Sequence, residues 1–173
     1  MSGGDETFEL IRRFSDRDSE PASRLDALLD LRQAHDPRVT SAVLRALSDA
    51  AELMTIRVAE LRYLRDRLRT TERRAEIADA LMRVVGDAGS AQRDLRVQVS
   101  LALGDCTDVP GVVTRLGAIC ASVDEVFEVR YAAFTSVERS GPTAEAVAIL
   151  RQLSVDDTLG RSAEAMLRRW RVR

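Results

Sequence analysis

Apolar residues recur along this chain with the spacing of amphipathic helices. Stripes at i, i+3, i+4 and i+7, such as the one that runs from Val39 to Leu47, are typical of helices with one buried face. No segment alternates apolar and polar residues for long enough to predict a strand. We therefore expect an all-α protein with helices over residues 5–16, 21–34, 37–49, 53–69, 71–86, 92–104, 110–122, 125–139, 142–154 and 158–171.

An arginine opens the apolar run of every second predicted helix. The intervals between these arginines are 33, 39, 34 and 31 residues, and the arginines are Arg24, Arg57, Arg96, Arg130 and Arg161. A helical period in the thirties is typical of solenoids, in which each helix pair covers the apolar stripe of its neighbour. The pattern predicts an α-solenoid of about five stacked antiparallel helix pairs, forming a single domain over residues 1–173.

Proline positions support the predicted helix starts. Proline is tolerated in the first turn of a helix, where its missing N–H has no partner to lose. We place all four prolines of the chain in first turns, at Pro21, Pro37, Pro110 and Pro142.

Each copy also carries a short motif around its arginine. An Asp in the inter-helix turn is followed by an apolar-Arg pair that opens the second helix, and then by a small residue and leucines. The run Asp124, Val129, Arg130 and Ala133 fits this motif best. With this motif the copies resemble HEAT repeats, including the bacterial HEAT-like repeats of the phycobilisome-lyase type.

The resemblance implies that the second helix of each pair lines a concave groove. It also implies an inter-repeat ladder between turn aspartates and the recurring arginines. We interpret Asp18, Asp124, Arg24, Arg57, Arg96, Arg130 and Arg161 as members of this structural ladder rather than as ligand contacts.

Charge is unevenly distributed in a chain whose formal net charge is −2. Residues 57–74 and 161–173 each carry a net charge of +4, and the rest of the chain is acidic. All 26 cationic residues are arginines, which favour bidentate contacts with carboxylates and phosphates. The acidic whole, with a pI near 5.6, disfavours nucleic-acid binding.

The second helices supply the candidate partner-binding residues. Arg62, Arg65 and Arg69 share one helix face and form either a binding stripe for an acidic or amphipathic segment or a solvated surface. Equivalent positions in other copies either line the groove or pack under a neighbouring helix, and Trp170 either binds a partner or covers the end of the last pair. These further candidates are Leu29, Arg32, Leu101, Thr135, Glu138, Met166, Arg169 and Trp170. Tyr63 and Tyr131 are predicted to pack between helices.

Catalytic patterns are absent from the sequence. His35 is the only histidine, and there is no phosphate loop, GxSxG or HExxH motif. We expect no enzyme activity, no metal and no cofactor. Cys106 and Cys120 are expected to be buried and reduced, and the lack of a secretory signal or an apolar span predicts a cytoplasmic location.

Together these patterns predict a non-catalytic scaffold or adaptor that binds a protein segment in the groove, with an immunity protein and a subunit of a larger complex as two forms of that role. A nucleic-acid-binding HEAT-like protein and a chromophore-lyase-like helper subunit are the alternatives. The partner's identity and the oligomeric state stay open.

Overall fold

Helices account for all the regular structure in the described part of the chain. The computed structural model describes residues 3–68, 72–86 and 93–172, and these residues contain ten α-helices and no strand. The helices are α1 (Gly3–Ser15), α2 (Pro21–Leu31), α3 (Pro37–Ser48), α4 (Met54–Arg67), α5 (Arg74–Gly86), α6 (Arg93–Leu103), α7 (Val112–Ala121), α8 (Phe127–Arg139), α9 (Ala144–Leu153) and α10 (Gly160–Arg169). The all-α prediction is confirmed, and a 3-10 turn at Gly104–Cys106 extends α6.

Two of the four prolines lie where the sequence placed them. Pro21 and Pro37 are the first residues of α2 and α3. The prediction is wrong for Pro110, because Gly111 follows it in the left-handed region with φ of 84° and α7 starts only at Val112.

Pro142 also precedes its helix. Thr143 is the N-cap of α9, and its Oγ1 accepts a hydrogen bond from the Ala146 amide at 3.2 Å. A hydroxyl at the N-cap satisfies one of the free amides of the first turn, so the helix begins after the threonine and not at the proline.

The chain divides into two compact units, Met1–Thr70 and Thr71–Arg173. In the first unit, α1 packs on α2 and α3, and α4 packs on both α2 and α3. Its core contains side chains with no exposed surface, among them Phe14, Leu31, Leu47, Ile56 and Leu64. Each of these stabilises the unit by about 1.5–3 kcal/mol through burial.

In the second unit, helices pair in chain order: α5 with α6, α7 with α8, and α9 with α10. Further contacts join α7 to α5 and α9, and α6 to α8. Gly117 permits a close approach between α7 and α9, because a Cβ at this position would lie 2.6 Å from Cδ1 of Ile149. We call α1, α3, α5, α7 and α9 the A helices and the others the B helices.

No helix in the described ranges is both long enough and apolar enough to cross a membrane. The prediction of one repeat domain over residues 1–173 stays a prediction.

Candidate protein-binding face

Four of the five recurring arginines are buried, and each ties its B helix to the A helix before it. The Nε of Arg24 donates to the backbone oxygen of Phe14 at 2.8 Å, and the Nε of Arg130 donates to that of Cys120 at 2.8 Å. Every acceptor is the penultimate residue of its A helix, where a carbonyl has no partner within the helix. The same bond recurs from Arg57 to Leu47 at 3.1 Å and from Arg96 to Val85 at 3.0 Å.

Three of these arginines also bind a carboxylate from the next copy. Arg24 donates to both oxygens of Glu52, at 3.0 and 2.5 Å. Arg96 binds Glu125 through both terminal nitrogens, and Arg130 donates to Asp156 at 2.5 Å. Bidentate pairs such as Arg24–Glu52 and Arg96–Glu125 fix the relative position of the helices that they join.

Electrostatics in the Arg24–Glu52 pair favour the charged forms of both groups. Burial raises the pKa of the Glu52 carboxyl, but hydrogen bonds from Arg24 and the Leu53 amide bring that pKa below its usual value. The hydrogen bond with Glu52 raises the pKa of Arg24. The pair is therefore ionised at neutral pH and acts as a structural tie.

The resemblance named the wrong acids for this ladder. Asp18 and Asp124 are exposed, and they stand six residues before the arginine of their own copy. The acids that bind, such as Glu52, stand five residues before it, and that offset turns the carboxylate towards the previous copy's arginine. The same offset in the third copy falls on Ala91, which lies outside the described residues.

The ladder role predicted for Arg161 is also wrong. Arg161 belongs to the fifth copy and is exposed, unlike the four buried arginines. This arginine therefore offers a matched surface reference for the buried ones.

Glu60 is an unusual buried acid on α4, three residues after Arg57. Its side chain has no exposed surface, and neither carboxyl oxygen has a hydrogen-bond partner. Burial, together with the nearby charge of Glu52, raises its pKa to about 8. The corresponding buried positions in other copies are Ala27, Val99 and Ala133, so a neutral acid occupies a place that elsewhere is apolar.

Both cysteines are buried, as the sequence predicted. Burial raises the pKa of Cys106 to about 11 and that of Cys120 to about 12. Thiols with such values are protonated at neutral pH and are poor nucleophiles.

In the first unit, the predicted B-helix face is exposed and charged. Leu29, Arg62 and Arg65 are exposed, and Arg32 forms an ion pair with Asp66. Arg69, the third member of the predicted arginine stripe, lies outside the described residues. The neighbouring Arg67 instead binds the backbone oxygens of Arg32 and Ala34, at 3.0 and 2.9 Å, and so caps the end of α2.

In the second unit, the predicted face is partly used by internal contacts. Glu138 of α8 accepts a hydrogen bond from Arg169 of α10 at 2.8 Å. Thr135 donates to the backbone oxygen of Tyr131 at 3.0 Å, and Met166 is buried. Leu101 and Trp170 are half-buried.

An exposed apolar patch in the second unit was not predicted from the sequence. The patch lies in the turns before α8 and α10 and in the first two turns of α8. Its members and their exposed fractions are Val123 (80%), Val126 (43%), Phe127 (51%), Tyr131 (50%) and Val155 (87%). We call these five residues the α8 patch. In the described residues of this unit, no other large apolar side chain is exposed.

Two aromatic rings of the α8 patch are held in place by a third, buried ring. The ring centroids of Phe127 and Tyr131 are 5.7 Å apart, and those of Tyr131 and Phe134 are 6.4 Å apart. Phe134 is buried and anchors this row. The prediction that Tyr131 packs between helices is therefore wrong, whereas Tyr63 is buried as predicted.

A sequence signal for the patch existed. Val126 and Phe127 stand four and three residues before Arg130, and Leu53 and Met54 stand in the same places before Arg57. All four are exposed. An apolar pair at this position, before the buried face of the helix begins, predicts exposed apolar surface at the start of a B helix.

Internal ion pairs neutralise most of the charges in one cleft of the first unit. A cleft of about 190 Å³ is lined by Arg17, Arg24, Arg45, Asp49 and Glu52 together with small side chains. Arg17 pairs with Asp49 and Arg24 pairs with Glu52, so these charges satisfy one another. Among the described residues, no three His, Cys, Asp or Glu side chains are grouped so that they could hold a metal ion.

No family model and no curated protein matches this chain. The likeness to HEAT repeats therefore stays a resemblance based on the motif. Among the described residues of the second unit, the α8 patch contains all the large apolar side chains that are exposed.

Proposed function

We propose that this protein is a non-catalytic scaffold, an α-solenoid similar to HEAT-repeat proteins, that binds a segment of a protein partner on its B-helix side. The partner segment binds across the start of α8 and places apolar side chains on Phe127 and Tyr131. In the second unit, the Arg96–Glu125 and Arg130–Asp156 pairs hold the helices that carry this surface in fixed positions.

The single observation that carries this proposal is the exposure of the α8 patch. Large exposed apolar groups that lie together on a soluble protein mark interaction sites, whereas single exposed apolar residues are ordinary. Five such residues lie in two neighbouring turns and one helix start. Aromatic residues are also enriched in the buried centres of protein interfaces.

Rigidity of the aromatic row supports the same role. The ring of Phe127 packs on Tyr131, and Tyr131 in turn stacks on the buried Phe134, so little side-chain entropy is lost when a partner covers them. The Tyr131 hydroxyl adds a polar group that can donate to or accept from a partner. The ladder bond from Arg130 to Asp156 holds the first turns of α8 and the turn before α10 together.

The proposal predicts that Phe127→Ser/Tyr131→Ser loses the partner. Both side chains are half-exposed, so the double change removes binding surface and leaves the core intact. We expect capture of the specific partner from a lysate of the source cells to fall by at least about tenfold, as for the loss of central aromatic contacts at an interface. Quantitative mass spectrometry of the captured proteins is the measurement.

Phe8→Ser is the matched control for this experiment. Phe8 is 54% exposed in α1 and lies outside the α8 patch. The control variant should capture the same proteins as the wild type. An unchanged set of captured proteins with the double variant, once circular dichroism shows native helix content, would contradict the proposal.

A further inference from the structure

Carboxylates flank the apolar residues of the α8 patch along the chain. Asp124 lies between Val123 and Val126 in the turn before α8, and Glu128 follows Phe127 in its first turn. Asp157 stands two residues after Val155 in the turn before α10. All three carboxylates are exposed, so the apolar surface has an acidic rim.

Neighbouring arginines leave half of the negative charge in this region uncompensated. Arg96 and Arg130 of the same region are already neutralised by Glu125 and Asp156. Arg93 at the start of α6 lies 3.2 Å from Asp94 and 3.9 Å from Glu128. Apart from the two internal pairs, residues 93–97, 122–131 and 155–161 contain four carboxylates and two arginines, a net charge of −2.

Asp124 and Asp157 differ from the other acids of the region. Glu125 and Asp156 are drawn into the ladder, whereas the described residues form no ion pair with Asp124 or Asp157. Each of these two acids therefore faces solvent beside an exposed valine, and a partner's cationic group can reach it without breaking an existing bond.

We infer that the partner segment on the α8 patch is cationic and amphipathic, with apolar side chains that cover Phe127 and Tyr131 and with Lys or Arg side chains that pair with Asp124, Glu128 and Asp157. This inference rests on the proposed function and names the chemistry of its partner. It differs from the acidic segment expected from the Arg62–Arg65–Arg69 stripe. That expectation came from the positively charged residues 57–74, whereas the α8 patch lies among acidic residues.

The physical reason for this partner is complementarity at both the centre and the rim. The aromatic rings bury apolar groups, and an arginine over a ring adds a cation–π attraction. The rim carboxylates steer a cationic segment and reject an anionic one. Two copies of this chain that met patch to patch would bring like charges together, and phosphate backbones would be repelled in the same way.

Two labelled peptides test the inference directly. Both are amphipathic 14-residue helices with the same Leu and Trp face, one with Arg and the other with Glu on the polar face. Fluorescence anisotropy measures the binding of each to the full chain. We expect the cationic peptide to bind at least about tenfold more tightly than the anionic one, with an affinity that falls as salt rises.

Variants separate the apolar centre from the acidic rim. Phe127→Ser/Tyr131→Ser should weaken the cationic peptide by about tenfold or more. Asp124→Asn/Glu128→Gln should weaken it by about threefold to tenfold and reduce the salt dependence. Asp30→Asn/Asp79→Asn makes the same change in net charge at exposed acids elsewhere and should stay within about twofold of the wild type.

The outcomes of the peptide test distinguish failure of the inference from failure of the proposed function. The anionic peptide could instead bind more tightly than the cationic one, and Phe127→Ser/Tyr131→Ser could abolish that binding. This result would overturn the inference and leave the proposed protein-binding function intact. If Asp124→Asn/Glu128→Gln and Asp30→Asn/Asp79→Asn weakened the binding of the cationic peptide equally, the effect would come from net charge alone. That result would overturn the inference. Binding of neither peptide, alongside capture from lysate that depends on Phe127 and Tyr131, would overturn the inference alone.

Failure of both the peptides and the lysate capture would overturn the proposed function as well. Self-association is the remaining alternative and is measured by light scattering. A concentration-dependent dimer that the aromatic double variant abolishes would show that a second copy covers the patch, and it would overturn the cationic partner.

Discussion

Arg24→Met should lower the free energy of unfolding by about 3–5 kcal/mol, the cost of removing one partner from a buried ion pair. The side chain binds the Phe14 carbonyl and both Glu52 oxygens, and both members of the pair are buried. The variant leaves the Glu52 carboxylate without its cation in the interior of the first unit. Urea denaturation at neutral pH, followed by circular dichroism at 222 nm, measures the change.

Arg161→Met is the control for this variant. Arg161 occupies the same place in the last copy but is exposed, so its replacement should change the free energy of unfolding by no more than about 0.5 kcal/mol. Equal and small effects at both positions would contradict the structural role of the buried ladder.

Glu60→Gln should stabilise the protein, and the gain should increase with pH. Because burial raises the pKa of Glu60 to about 8, the folded state keeps a proton that the unfolded chain, with the ordinary value of 4.5, releases. Stability from the bound proton is therefore fully present below pH 4.5 and is lost as pH rises to 8. The amide removes this dependence, so the gain should be about 3 kcal/mol larger at pH 7 than at pH 4.

The matched control for Glu60 is Glu164→Gln. Glu164 stands three residues after Arg161, as Glu60 does after Arg57, but it is exposed and pairs with Arg168 at 3.4 Å. Urea denaturation of each variant and the wild type at a series of pH values gives the comparison. A gain from Glu60→Gln that is the same at pH 4 and pH 7 would show that the carboxyl is not held in its neutral form.

Helix positions were predictable because burial imposes a regular period on the sequence. The stripe from Val39 to Leu47 is buried on α3, as its spacing indicates. The arginine interval also identified the positions that become buried ties at Arg24, Arg57, Arg96 and Arg130. Their burial follows from the carbonyls at the ends of the first four A helices, each of which accepts a hydrogen bond from one of these arginines.

The acids of the ladder were harder to choose from sequence. Asp124 and Glu125 are adjacent, and only the backbone of the turn decides which carboxylate reaches Arg96. Comparing offsets among the copies would have favoured Glu52, Glu125 and Asp156, which share one distance from their arginines. The resemblance to HEAT repeats favoured Asp124 over Glu125. It specified an aspartate in the turn but not how many residues separate that acid from the arginine.

Exposure was the least predictable property. Tyr131 of α8 is half-exposed although it is a large aromatic residue. Met166 of α10 is buried, whereas Thr135, at the equivalent position of α8, is only partly buried. Which B-helix side chains stay open depends on how neighbouring helices cover them. A period along one helix does not contain that information.

Site-specific photo-crosslinking in the source cells tests the central claim most directly. A photoreactive phenylalanine analogue placed at position 127 reports on what touches the α8 patch, and the same analogue at position 8 reports on an equally exposed surface outside it. We predict a discrete protein adduct from position 127 and none of the same mass from position 8. The absence of an adduct at 127, or the same adduct from both positions, would contradict the claim that this face binds a protein partner.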